Sequence, residues 1–317
     1  MPNNIKAIGL LSGGLDSVLA LKLVKDQNVE VIAVHLLLPF ADDKRDYAGH
    51  LASQLGMPLI KVKATEDYIE LVRHPSHGRG SGMNPCIDCR IYMLRQSWQV
   101  AQQIGACFLI TGDVLGQRPM TQHRGHLAVE DKESRLEGLI LRPLSSKLLP
   151  KTFPEEEGWI ERERLLALEG RSRKPQLALA HEFGIQGYGT PAGGCLLTNK
   201  EISFRLQELF RRHQVVTDKD IALLKIGRHF FLAKAHIIVG RNERENQQLL
   251  ELRQPDDRVF EVVGYPGPTT ILRGAKTKEA VEFVAQLTAR YSKQHSSVQA
   301  AENLVISSQF DLSPENQ

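Results

Sequence analysis

No apolar run in the 317 residues approaches the ~20 that span a bilayer, so no membrane-spanning helix is expected. Met1 to Lys6 has neither the apolar stretch nor the small-residue cleavage site of a signal peptide, and the expectation is a cytoplasmic protein without a membrane partner. Cysteine is scarce. Four residues, Cys86, Cys89, Cys107 and Cys195, are too few in a chain this long to form a disulfide framework, and a cytosolic compartment keeps thiols reduced. Internal repeats are absent. A net charge of only +3 does not by itself argue for a nucleic-acid partner. Lysine and arginine are missing from Gln294 to Gln317, where Glu302, Asp311 and Glu315 sit, so the remainder is more basic than the total suggests. That tail is polar and is expected to be disordered.

What is present reads as alternating strands and helices. Apolar runs at Lys6 to Leu11, Val29 to Leu38, Pro58 to Val62 and Ala106 to Thr111 read as strands, Val29 to Leu38 as one buried on both faces and Ala106 to Thr111 as a further buried one. Helical periodicity falls between them at Ser17 to Lys25, Asp43 to Leu55 and Cys86 to Ile104. The pattern predicts an α/β fold with a parallel sheet, whose ligands bind outside the carboxyl ends of the strands. Further helices are expected at Glu161 to Leu168, Lys174 to Phe183 and Glu201 to His213. A second, smaller α/β domain is expected from Asp218. Its strands are placed at Ala222 to Ile226, Ala235 to Val239, Val259 to Val263 and Thr269 to Leu272, and its helices at Glu243 to Leu252 and Lys278 to Tyr291. The division is then a catalytic domain over 1–198, a connecting helix over 199–217, a small domain over 218–293 and a tail over 294–317.

Between the first strand and first helix lies Ser12-Gly13-Gly14-Leu15-Asp16-Ser17. The glycines let backbone amides converge on one anion, and the helix start adds its positive end. Ser12 and Ser17 add hydroxyl donors. Asp16 suits a magnesium ion or a helix cap. The bland reading is a capped Gly-rich turn. A Walker A loop is excluded, because no Gly-Lys-Ser/Thr follows. The string resembles the loop of the PP-loop ATPases (N-type ATP pyrophosphatases), a Rossmann-type, HUP-like fold that splits ATP into AMP and pyrophosphate. The resemblance implies an ATP site at Ser12 to Ser17. His35, Gly112, Asp113, Gln117 and Arg118 fall at the same sheet edge and are further candidate ATP contacts.

Cys86-Ile87-Asp88-Cys89 begins a helix after Asn84-Pro85. A helix start favours thiolate, and the spacing lets two sulfurs face one metal or cluster. Cys195 ends the small-residue run Pro191-Ala192-Gly193-Gly194. Cys107 lies inside an apolar strand and reads as a core residue. Three cysteines without a fourth suit an iron–sulfur cluster with one open iron; unliganded thiols are the bland alternative. The set resembles the tRNA thiouridine synthetases, where one branch holds a cluster and another runs persulfide chemistry after an Asn-Pro motif. The resemblance implies a tRNA sulfurtransferase using ATP, Mg2+ and a [4Fe-4S] cluster, with Cys86, Cys89, Cys195, Asp16 and Asp113 as catalytic candidates. A cysteine-persulfide 2-thiouridylase without a cluster, or an enzyme moving sulfur or nitrogen onto a small metabolite, stays open. The implied partners are tRNA and a sulfur donor, which is a cysteine desulfurase, a sulfur carrier or inorganic sulfide; a homodimer is compatible.

Arg142 and Lys147 are candidates for phosphate neutralisation or for a solvated face. His74 and His77 read as loop polar residues. Arg171, Arg173 and Lys174 form a basic patch that either grips an RNA backbone or is merely solvated. Ile238-Val239-Gly240-Arg241-Asn242 and Tyr265-Pro266-Gly267-Pro268-Thr269 resemble the NFACT RNA-binding domain family. That resemblance implies a basic surface from Lys225, Arg228, Lys234, Arg241 and Arg273.

Overall fold

The computed structural model describes residues 5–41, 45–189, 195–262 and 265–292. The chain divides into two compact units, Met1–Asn199 and Lys200–Gln317. Pro191 to Gly194 and the tail from Gln294 lie outside the described residues.

The first unit runs β1 (Lys6–Leu10), α1 (Leu15–Lys25), β2 (Glu30–Leu37), α2 (Tyr47–Gln54), β3 (Leu59–Lys63), α3 (Glu66–Arg73), α4 (Cys86–Ile104), β4 (Phe108–Ile110), α5 (Arg124–Ser134), β5 (Ile140–Leu141), α6 (Phe153–Glu156) and α7 (Lys174–Glu182). Five strands form one parallel sheet in the order β3-β2-β1-β4-β5. The order reverses between β1 and β4, and a crevice opens outside the carboxyl ends of strands at such a point. Both loops expected at the site, 12–17 and 111–113, leave these two strands there.

Alternation within the apolar runs explains the two covered faces. Ala7, Val31, Ala33, Phe108 and Ile110 pack with Val18, Leu21, Leu51 and Ala180 on one side. Ile8, Ile32, Val34 and Leu109 pack with Leu94 and Ala101 on the other. Gly9 lets α1 approach closely, since a Cβ there would overlap the Leu21 side chain. α4 ends at Gly105, whose φ of 70° lies in the left-handed region that glycine adopts freely.

The helix expected at Glu161 to Leu168 is only a 3-10 turn over Arg162–Arg164. Beyond it the backbone is drawn off into other bonds: Leu166 donates to the Pro143 carbonyl at 2.9 Å and Leu168 to the Leu144 carbonyl at 2.8 Å. α3, α5 and the two-residue β5 were not anticipated.

The second unit comprises α8 (Lys200–Arg212), α9 (Asp218–Leu224), β6 (Arg228–Leu232), β7 (Ala235–Val239), α10 (Glu243–Leu252), β8 (Arg258–Phe260), β9 (Thr270–Gly274) and α11 (Lys278–Arg290). Its sheet is antiparallel, in the order β6-β7-β9-β8. Ala222 to Ile226 does not form the expected strand. It lies largely in α9, because Thr217 and Asp220 close a reciprocal capping box just upstream. A short apolar run fits either element, and the cap decides it. The first strand is instead Arg228–Leu232, which joins β7 through Ala233, at a φ of 47°.

Arg273 does not lie on a basic surface. Its side chain is buried on β9 and bridges Asp220 at 2.7 Å and Asp257 at 2.6 Å, tying α9 to the sheet. Arg228 is half-buried with its guanidinium 4.6 Å from the Tyr291 ring centre. Arg241 pairs with Glu245 at 2.7 Å on an exposed turn, and Lys225 and Lys234 are exposed.

Candidate active site at the carboxyl edge of the parallel sheet

The loop after β1 is held from within. Gly13 has a φ of 82°. Its carbonyl accepts from the Gly189 amide at 2.8 Å, and the Gly14 carbonyl accepts from the Ser17 hydroxyl at 2.8 Å. Ser12 and Ser17 hydroxyls lie 3.3 Å apart. With these carbonyls turned into the protein, the first-turn amides of α1, which have no intrahelical acceptor, form the positive face of the loop. Gly112 packs directly beneath, where a Cβ would stand 2.5 Å from the Ser17 nitrogen. His35 shares its Nδ1 with the Leu11 carbonyl at 2.8 Å, at the entry to the loop.

Asp16 collects a group of polar side chains. One carboxylate oxygen accepts from Gln117 Nε2 at 3.0 Å, and the other is buried without a hydrogen-bond partner. Burial raises its pKa, against the opposing influence of Gln117, Arg173, Arg118 and Gln176. Arg173 therefore stands beside the phosphate loop, while Arg171 and Lys174 are exposed.

The structure brings Cys86, Cys89 and Cys195 together around Tyr68. The Tyr68 hydroxyl lies 3.2 Å from Cys89 Sγ, and Asn84 Nδ2 donates to Cys86 Sγ at 3.0 Å. Cys195 is carried in by backbone pairing beside Phe40 and Ala41. Burial pushes the Cys89 thiol up to about 12, helped by Cys195 and Cys86, and Cys195 is raised by burial and by Cys86. Arg118 acts electrostatically on both Asp16 and Cys195, so it lies within electrostatic reach of the loop and of the cysteines. Cys107 precedes β4 at the opposite, amino end of the sheet, packed against the core. Among the described residues, no group of three or more His, Cys, Asp or Glu is placed to hold a metal ion.

Two charged candidates prove to be internal. Asp113 is buried, and its oxygens are engaged by Thr111 at 2.7 Å, Gln122 at 3.1 Å and Arg90. The Arg90 and Arg142 guanidiniums hold its carboxyl far below the usual range against the pull of burial. Arg142 is buried and forked onto Asp131 at 2.9 and 2.5 Å, so it is an internal ion pair. Lys147 donates to the Glu163 carbonyl at 2.7 Å. His77 sits between Asp88 at 3.1 Å and Glu133 at 2.9 Å. Arg90, Tyr68, Gln122 and Gln176 carry no motif that marks them in the sequence. Only Arg90 offers a signal, as the cation directly after Cys89.

Glu130, on α5, completes this buried cluster without a hydrogen bond, 3.7 Å from Arg90. Burial pushes its carboxyl up to about 8, from an ordinary value of 4.5. Such a group contributes stability fully below pH 4.5 and loses it as pH rises through 8. Glu130→Gln is expected to flatten the decline in melting temperature between about pH 5 and pH 9, as scanning calorimetry at fixed ionic strength would show. An equally steep decline in the variant would assign it to other groups.

A five-stranded parallel sheet with an anion loop at its switch point defines a nucleotide-binding α/β protein of PP-loop type. Residues 3–147 match the family model "Thiamine biosynthesis protein (ThiI)", and residues 227–309 match "NFACT protein RNA binding domain". The chain thus joins a ThiI-type PP-loop domain to an NFACT-type RNA-binding domain. It is 26% identical over 121 residues to a probable tRNA sulfurtransferase of Thermococcus kodakarensis, covering 35% of this chain and 30% of the relative. It is 26% identical over 146 residues to the tRNA-specific 2-thiouridylase MnmA of Rhizobium etli, covering 40% and 36% respectively. The matched stretches span less than half the length of these relatives. Similar solved structures include a 4-thiouridine synthetase–RNA complex with bound ATP (20% identity, TM-score 0.41, 69% of this chain and 52% of that one). Another is the U34-tRNA thiolase NcsA from Methanococcus maripaludis with its [4Fe-4S] cluster (19% identity, TM-score 0.36, 70% of each chain). No helix among the described residues is long and apolar enough to cross a membrane.

Proposed function

We propose that the protein is an ATP-dependent tRNA-uridine sulfurtransferase of the cytoplasm. The observation that supports the reading is that Cys86, Cys89 and Cys195, the outer two 109 positions apart, all act on Tyr68 in the unit that carries the phosphate loop. ATP binds along Ser12 to Ser17, and the unpartnered Asp16 oxygen suits a magnesium ligand. A uridine carbonyl oxygen attacks the α-phosphate, forming an O-adenylate and releasing pyrophosphate. Sulfur at the sulfide level then attacks the ring carbon, the C–O bond breaks and AMP leaves. This exchange is redox-neutral.

The cysteine set fits a [4Fe-4S] cluster better than free thiolates. The neighbouring sulfurs raise the Cys89 and Cys195 thiols, so the thiolates disfavour one another, whereas a bound cation reverses that preference. Cys86, Cys89 and Cys195 would hold the cluster, which supplies one iron without a protein ligand as a place to carry sulfide. Delivery as a persulfide is the second reading, favoured by Cys195 being more open to solvent than Cys86 and Cys89. There a second cysteine supplies two electrons and ends as a disulfide. The second unit, with Lys225, Lys234 and Arg241 exposed, would hold the tRNA. In the first unit Arg171 and Lys174 are exposed and would make that unit's own RNA contacts.

Mass spectrometry of tRNA nucleosides from a deletion strain tests the reaction: one thionucleoside is expected to vanish, and an unchanged profile rejects the proposal. Iron and sulfide analysis after anaerobic purification separates the two sulfur routes. An iron-free preparation that is fully active selects the persulfide.

A further inference from the structure

The strongest unexplained feature of the first unit is a set of buried polar atoms around Asp16. The second Asp16 oxygen, Gln117 Oε1, Arg173 Nε and both amide atoms of Gln176 are buried and make no hydrogen bond of good geometry within the protein, although Gln176 faces Asp16. Gln176 is only 1% exposed. Leaving a buried amide unpaired costs about 1–3 kcal/mol, so native proteins rarely tolerate one without a ligand. Here several meet at one place, from three separate parts of the chain.

The backbone adds to the same point. Asp16 is the second residue of α1, and Gln176 is the third residue of α7, a nine-residue helix opened by Pro175. Gln176 and Arg173 both act on Asp16. Two helix N-termini, each the positive end of its dipole, are therefore brought together across the loop. Arg118 and Arg173 add two guanidiniums against the single carboxylate of Asp16. The balance is cationic and rich in donors, with Arg118 open to solvent and Gln176 buried, which is the chemistry of a polyphosphate site.

We propose that α7 supplies the second wall of the phosphate site, with Arg173 and Gln176 gripping the pyrophosphate moiety opposite Ser12 to Ser17. This rests on the ATP-dependent reading above and assigns Arg173 to the nucleotide, away from an RNA-binding patch. Gln176 donates its amide to a phosphate oxygen, and Arg173 neutralises charge on the leaving group. Neither residue contacts the adenosine.

Titration calorimetry on the full chain decides it, with pyrophosphate, Mg-ATP, AMP and tRNA as separate probes. Arg173→Gln and Gln176→Met are each expected to weaken pyrophosphate and Mg-ATP by at least ~10-fold. AMP and tRNA affinities stay within about twofold. The melting temperature of Gln176→Met is expected to equal or exceed that of the wild type, since an apolar isostere removes the unpaired amide. Unchanged pyrophosphate affinity in Arg173→Gln overturns the inference, as does a parallel loss of AMP and pyrophosphate. Weaker tRNA with intact pyrophosphate binding returns Arg173 to RNA. A wild-type chain that binds neither Mg-ATP nor pyrophosphate overturns the ATP reading itself. Should Gln176→Met fail to fold, the pyrophosphate and AMP affinities of Arg173→Gln still decide between these outcomes.

Discussion

Cys89→Ala is expected to reduce tRNA thiolation by ~10³-fold or more while leaving Mg-ATP affinity within about twofold. The separation follows from where the sulfur lies. Cys89 sits in the first turn of α4, 3.2 Å from the Tyr68 hydroxyl, and no hydrogen bond ties it to the loop at Ser12 to Ser17. Its thiol is buried and pushed up to about 12, so as an isolated thiol it is a poor nucleophile at neutral pH. A bound metal cluster removes that difficulty, and a persulfide mechanism does not. Cys195→Ala is expected to match Cys89→Ala on the cluster route, and both are expected to lose iron together. Cys107→Ala is the control, because that residue stands at the opposite end of the sheet and is expected to retain thiolation. Thionucleosides from a complemented deletion strain and calorimetry with Mg-ATP provide the two readouts. Full thiolation by Cys89→Ala would remove that cysteine from the chemistry.

The parallel sheet was legible because each central strand is buried on both faces. Ile8, Ile32 and Leu109 face one layer while Ala7, Val31 and Phe108 face the other, which leaves continuous apolar runs. The loop at Ser12 to Ser17 was legible because its glycines and serines are contiguous. The meeting of Cys86, Cys89 and Cys195 was legible only as a cysteine count, since Cys195 arrives by pairing with Ala41. Charge was the poorest guide. Arg142 and Arg273 look like surface cations in the sequence, yet both are buried in forked ion pairs. Residue type does not report burial, and their carboxylate partners lie 11 to 53 residues away. Arg173 sits in sequence between Arg171 and Lys174 and looks like part of one patch, but the turn into α7 separates it from them. A short apolar run misled in the same way at α9, where one capping box outweighed strand propensity.

Gly112→Ala is expected to weaken ATP binding by ~100-fold or more although residue 112 need not touch the nucleotide. The strand β4 ends beneath the first turn of α1, and a Cβ at position 112 would stand 2.5 Å from the Ser17 nitrogen and 2.6 Å from both the Asp16 carbonyl carbon and the Ser17 Cα. All three are backbone atoms, so no side-chain rotation relieves the clash. Either α1 lifts from the sheet or the segment leading to Asp113 is displaced. Displacing Asp113 also strains its bonds to Thr111 and Gln122 and its pairing with Arg90. Lifting α1 instead moves the amides of Leu15, Asp16 and Ser17 away from their common focus, and anion binding depends on that focus. Overpacking of this kind costs about 1–3 kcal/mol, which a domain of this size survives folded. Calorimetry is therefore expected to show ATP affinity reduced by ~100-fold or more in a protein that still unfolds cooperatively in urea, with a lower midpoint. Wild-type affinity in Gly112→Ala would mean that the loop does not lean on β4, and that the switch point between β1 and β4 is not where the nucleotide sits.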